Sequence, residues 1–147
     1  MRYSQARPGR VFVLRLEQGE TVHETIETFV REKGIQTASV IALGGADRES
    51  VLVAGPEKGD QRPIITQLQV LDDVHEIMGT GTIFPDEEGS PILHMHMACG
   101  RGPDVRVGCI RNGVKVWLYM EVVIQELVDS SGIRKMDQDS GFKLLEP

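Results

Sequence analysis

The stretch Val114-Lys115-Val116-Trp117-Leu118-Tyr119-Met120-Glu121-Val122-Val123-Ile124-Gln125-Glu126-Leu127-Val128 decides the fold class, because its length suits a helix and its pattern does not. Val114, Val116, Leu118 and Met120, then Val122, Ile124 and Glu126, recur with a period of two. Glu121-Val122-Val123-Ile124 adds β-branched side chains, which pack well on a pleated surface and lose rotamer freedom in a helix. The stretch reads as one long strand.

The segments before it share that texture. Residues 92–98 and 105–110 flank a Gly-Pro-rich connection and read as strands. Residues 75–84 carry Gly79 and Gly81, which in a strand mark a bulge or a close backbone approach. Residues 64–70 partly alternate, residues 50–54 form a short strand, and residues 36–43 form another that closes on Gly44-Gly45. Val11-Phe12-Val13-Leu14-Arg15-Leu16 opens the set. One helix interrupts it, over about residues 22–33. Thr21-Val22-His23-Glu24 has the form of a capping box; Val22, Ile26, Phe29 and Val30 recur at helical spacing, and Gly34 is a stop. The tail from Asp129 is polar apart from Phe142, Leu144 and Leu145, which tie the C-terminus down. The expected fold is α+β: one helix on a mainly antiparallel sheet of about seven or eight strands, in one domain over residues 1–147 with a core at about 11–145.

Composition narrows the function classes. The chain has 147 residues, 40% hydrophobic, with a formal net charge of −6. An acidic balance opposes long-range attraction to nucleic-acid phosphates or anionic lipid. No apolar run approaches the roughly 18–20 residues of a membrane span, and Met1-Arg2-Tyr3-Ser4-Gln5 offers no signal-peptide core. Only Cys99 and Cys109 occur, too few for a disulfide framework, so a reducing cytoplasm is expected. Arg7-Pro8-Gly9-Arg10 has the letters of a minor-groove arginine hook in the wrong order and reads as a leader into the first strand.

The chemistry concentrates in Leu93-His94-Met95-His96-Met97. On a strand His94 and His96 project to one side, and two neutral imidazoles make half of a transition-metal site. Cys109 is the nearest third ligand if the two flanking strands form a hairpin. However, Val105, Val107 and Cys109 alternate together, so Cys109 could equally sit on a buried apolar face. A one-residue shift in register decides between a ligand and a structural thiol. Glu76, beside His75, and Glu121 are candidate neighbours of the site; so are Gly44 and Gly45, though a tight strand contact is their default reading. His23 reads as solvent-exposed surface. Arg101, Arg106 and Arg111, with Lys115, form the one candidate anion-attracting patch, although a solvated strand face is the commoner explanation of such a cluster.

These features occur in an order that resembles the Plants and Prokaryotes Conserved domain. The matching pieces are Ala42-Leu43-Gly44-Gly45-Ala46, His75-Glu76-Ile77 with Gly79, Pro91-Ile92-Leu93-His94-Met95-His96, Val107-Gly108-Cys109-Ile110 with Asn112-Gly113, Glu121-Val122-Val123-Ile124-Gln125-Glu126-Leu127, and Ser140-Gly141-Phe142-Lys143-Leu144-Leu145. The resemblance implies a strongly curved sheet, homotrimers, and a His-x-His metal site on His94 and His96. Many stand-alone members place a histidine where this chain has Cys109; the thiol departs from that pattern but keeps a possible zinc ligand, so the cofactor that the resemblance implies is zinc or another divalent transition metal. The resemblance also implies a link to DNA, but that activity resides largely in an AT-hook, which is absent here. With no local Ser-His-Asp set, a binding or regulatory role is preferred to catalysis. The alternative is metal-dependent hydrolysis of a small molecule, with Glu76 or Glu121 as base.

Overall fold

The computed structural model describes residues 1–147. The chain runs β1 (Arg7–Glu17), α1 (Val22–Glu32), β2 (Ala38–Ala46), β3 (Val51–Ala54), β4 (Gln67–Val70), β5 (His75–Pro85), β6 (Pro91–Arg101), β7 (Asp104–Cys109), β8 (Val116–Val128), β9 (Ile133–Met136) and β10 (Lys143–Glu146). The first eight strands form one antiparallel sheet in the order β1-β8-β2-β5-β6-β7-β3-β4. The fold is α+β with one helix, and the long 114–128 stretch is a strand. It lies between β1 and β2, where both of its edges are hydrogen-bonded.

Helix α1 buries Val22, Ile26 and Val30 completely, and Phe29 meets Phe12 of β1 edge-on at 5.4 Å. Its C-terminus closes as a Schellman motif: Gly34, at φ +64°, donates to Arg31 O at 3.1 Å, and Ile35 N–H reaches Val30 O at 2.8 Å. The expected capping box does not form, since the Thr21 side chain makes no cap bond. Instead Val22 N–H donates to Val114 O at 2.9 Å, so the chain entering β8 satisfies a free donor of the first turn.

Met95, Met97 and Cys99 of β6 and Met120, Val122 and Ile124 of β8 point to the helix side and are buried. The sheet curls around this core. Asp47 N–H donates to Lys115 O at 2.8 Å and Val51 N–H to Gly113 O at 2.9 Å, so the segment entering β8 touches both β2 and β3. In a flat sheet β8 and β3, five places apart in the order, would be separated by about 24 Å.

The other face carries apolar side chains in register. Val13 pairs with Val123, Val123 with Ile41, Ile41 with Thr80, Thr80 with His96, and His96 with Cys109. In the next row Leu43 pairs with Met78, Met78 with Ala98 and Ala98 with Val107. Val13, Ile41, Leu43, Met78 and Val107 are all exposed.

Several boundaries differ from the sequence reading: β2 runs through Gly44-Gly45 to Ala46, and β4 begins at Gln67 rather than at 64. Strand β1 starts at Arg7 rather than Val11, with an irregularity between Pro8 and Val11; Arg10 grips Glu126 of β8 through two guanidinium bonds of 2.8 and 2.7 Å. The tail forms the hairpin β9–β10. Its four-residue strands, Ile133-Arg134-Lys135-Met136 and Lys143-Leu144-Leu145-Glu146, are too short and too charged to show a period. Lys143 fastens the hairpin to Asp86, after β5, at 2.8 Å.

Candidate metal centre and its cavity

The β6–β7 hairpin turns on Gly102-Pro103, pairing Arg101 with Asp104, and keeps its register from there to His96 opposite Cys109. Val105, Val107 and Cys109 do share a face, as their alternation says. That face is the imidazole face: Val105 and Val107 are exposed there, while Met95 and Met97 fill the core. The choice posed by the sequence, apolar row or imidazole side, therefore disappears.

His94 Nε2 and His96 Nε2 lie 3.2 Å apart, with the rings at 79°. With Cys109 Sγ they form a group whose donor atoms all lie within 4.8 Å of one another. Two nitrogens on one tetrahedral zinc stand about 3.3 Å apart, given zinc–nitrogen bonds of about 2.0–2.1 Å, so the imidazole pair matches such an ion, and the thiol lies within reach as a third donor. Arg111 Nε donates to Cys109 Sγ at 3.2 Å. Cys99 is different: it faces the core, and burial pushes its thiol up to about 11, leaving it inert.

Burial lowers the pKa of both imidazoles. For His94 the positive charges of Arg134 and Arg111 add to the effect, and for His96 His94 and Arg111 do. Neutral rings are the ligating form. An NMR titration of metal-free protein is therefore expected to give both imidazole midpoints below about 6.5, the free-histidine value. The unfolded chain takes up these protons near that pH and the folded chain only below it. Stability of the metal-free protein then declines as pH falls under about 6.5, and a midpoint above that value would contradict this.

Strand β7 ends at Cys109, so residues 91–95 of β6 have no strand beside them on that edge. Leu93 N–H is satisfied instead by Glu27 of α1, at 3.0 Å. A cavity of about 670 Å³ opens here, lined by His94, His96 and Cys109, by His23 and Glu27 of α1, by Arg111, and by Arg134, Phe142, Lys143 and Leu144 of the hairpin.

Several candidates from the sequence lie elsewhere. Glu76 is exposed on β5, six residues from the Thr82 that pairs with His94, about 20 Å along the strand. Glu121 is exposed between Arg15 and Leu43. Gly44 and Gly45 do not line the cavity; they press against the β8 backbone and Trp117. Arg101 and Arg106 make no joint patch with Arg111: they pair with Asp73 at 2.7 Å and Asp72 at 3.4 Å, respectively. His23, read as surface, is on the cavity wall with its Nδ1 buried and unpartnered.

The residue that sequence reasoning missed is Arg134. It is 4% exposed and forms no ion pair, and its nearest polar partner is Thr82 Oγ1 at 2.9 Å. Its Nε has no partner. Burial, and then the charge of Arg111, lower its pKa. One arginine in a charged four-residue strand gives no local signal.

The family model of the Plants and Prokaryotes Conserved (PCC) domain matches residues 3–128. Among solved structures, the metal-containing protein of Archaeoglobus fulgidus is similar with a TM-score of 0.83 at 25% identity, all of both chains being covered. A plant- and prokaryote-conserved protein of Pyrococcus horikoshii gives 0.83 at 23% identity, over 100% of this chain and 98% of that one. A candidate DNA-binding protein of Bacteroides thetaiotaomicron gives 0.77 at 16% identity, over 97% and 98%. No curated protein matches the chain in sequence. The β9–β10 hairpin, with Arg134 and Phe142, lies beyond the residues that the family model matches.

Proposed function

From the premise that the chain belongs to the Plants and Prokaryotes Conserved (PCC) domain family, we propose that it is a homotrimeric binding or regulatory protein built around a zinc-type ion held by His94, His96 and Cys109. The observation that carries this reading is the convergence of one thiol and two neutral imidazoles within 4.8 Å at the edge of a cavity. Three protein ligands leave a fourth position for a molecule in that cavity, where the ion would supply Lewis acidity. The similarity to a metal-containing protein of Archaeoglobus fulgidus supports the same reading.

Binding is favoured over hydrolysis by the state of the wall. Its carboxylate, Glu27, already accepts the Leu93 N–H and faces Arg31 at 3.7 Å. The trimer rests on the exposed rows of apolar side chains, which a second and third copy would cover. A DNA role has a candidate DNA-binding protein among the similar structures in its favour. Against it stands the net charge of −6, which a trimer triples.

Elemental analysis of the purified protein tests the metal. About one zinc per chain is expected. His94→Ala is expected to weaken zinc binding by at least about tenfold, and Cys109→Ser to weaken it as well. Full retention in Cys109→Ser would remove the thiol from the site. A wild-type chain that neither carries nor takes up a divalent metal would overturn the reading.

A further inference from the structure

The cavity holds more positive charge than its own side chains neutralise. Lys143 is held by Asp86 at 2.8 Å, and Glu27 is engaged by the Leu93 N–H. Arg111 and Arg134 have no carboxylate partner. Arg111 spends its Nε on Cys109 Sγ and lies over the Phe142 ring at 5.9 Å, which leaves its terminal amino groups without a partner in the protein. Arg134 is buried with its Nε unsatisfied, although Thr82, which holds it, pairs with His94 across the β5–β6 ladder. A buried guanidinium with no counter-charge is costly, and a bound anion would relieve that cost.

We infer that the cavity binds a small organic acid, with its carboxylate on Arg111 and Arg134 beside the His94/His96/Cys109 cluster and its apolar body against Ile92, Phe142 and Leu144. Guanidinium forks match the two oxygens of a carboxylate, and such charge-assisted bonds are about twice as strong as neutral ones. The volume of about 670 Å³ and the apolar wall discriminate against a bare inorganic anion. The arginine contacts stand without a metal. Only the placing of a second polar group of the acid toward the ion rests on the metal reading above.

Calorimetric titration of the full-length protein, zinc-loaded and chelator-stripped, tests this with benzoate, its neutral analogue benzamide, and inorganic phosphate. Benzoate is expected to bind saturably, at about millimolar or tighter. Benzamide and phosphate are expected to bind at least about tenfold more weakly. Arg134→Gln and Arg111→Gln should each weaken benzoate by about tenfold or more. Because Arg134 is buried, its variant is checked by circular dichroism. Arg111 is exposed, so its variant carries the test if the other fails to fold. No saturable benzoate binding, equal binding of benzamide or phosphate, or indifference to the arginine variants would overturn the inference. Arginine-dependent benzoate binding by a protein that takes up no zinc would sink the metal reading alone. Zinc uptake without benzoate binding would sink the organic-acid assignment alone.

Discussion

Ile41→Glu is expected to leave the chain folded and to return it as a 16.3 kDa monomer by light scattering, and the unaltered protein is expected to give three times that mass. Ile41 sits in the middle of the exposed face, between Val123 of β8 and Thr80 of β5, and 56% of it is open to solvent in one chain. Its neighbours along β2, Val40 and Ala42, point the other way into the core, so a glutamate at 41 changes no internal packing. In a trimer closed over this face the carboxylate would be buried without a partner. Such a charge costs about 3–5 kcal/mol, which weakens each interface more than a hundredfold. Because His94, His96 and Cys109 all belong to one chain, the monomer should still take up metal. A monomeric unaltered protein, or an Ile41→Glu trimer, would show that the apolar rows are not the assembly surface.

Much of this architecture can be read from local pattern. The period of two across 114–128 identifies β8, and the stripe of Val22, Ile26 and Val30 identifies the helix with its glycine stop. Alternation alone puts His94 and His96 on one side of β6. The third member of the cluster depends on register, which the histidines do not carry. The signal for it was nearby: a two-residue turn at Gly102-Pro103 pairs 101 with 104, and counting back from there sets Cys109 against His96. The alternation of Val105, Val107 and Cys109 does not by itself choose a face. Here both faces of the sheet are apolar, one over the helix and one exposed. Glu76, beside His75, and Glu121, a charge within the long final strand, each lie along a strand away from the cavity. Arg134 enters the site from 38 positions beyond His96 in the chain, through a hairpin whose placement depends on Lys143 reaching Asp86. No local periodicity reports such a contact.

Gly44→Val is expected to lower the melting temperature by about 5–20 °C, far more than a change at any exposed glycine. Strand β2 steps across an irregularity in β8 here: Gly44 faces Met120 and Gly45 faces Trp117, leaving Leu118 and Tyr119 unopposed, with Leu118 at φ +59°. The extra length is accommodated because β8 closes directly onto Gly44. A Cβ there would stand 2.5 Å from Tyr119 O and 2.8 Å from Met120 Cα, both backbone atoms that a rotamer change cannot move. Gly44 also holds φ +149°, in the region that side chains disfavour. Overpacking and backbone strain together cost about 2–6 kcal/mol, against about 5–15 for a whole domain. Gly55→Ala is the matched control, since a Cβ at that position meets nothing within 4 Å; its effect should stay within about 0.5 kcal/mol. Thermal denaturation followed by circular dichroism separates the two. If both variants melt together, the strand crossing at Gly44 tolerates a side chain, and the close approach of β2 to β8 is not what fixes the bend that carries Leu118 and Tyr119 out of the pairing with β2.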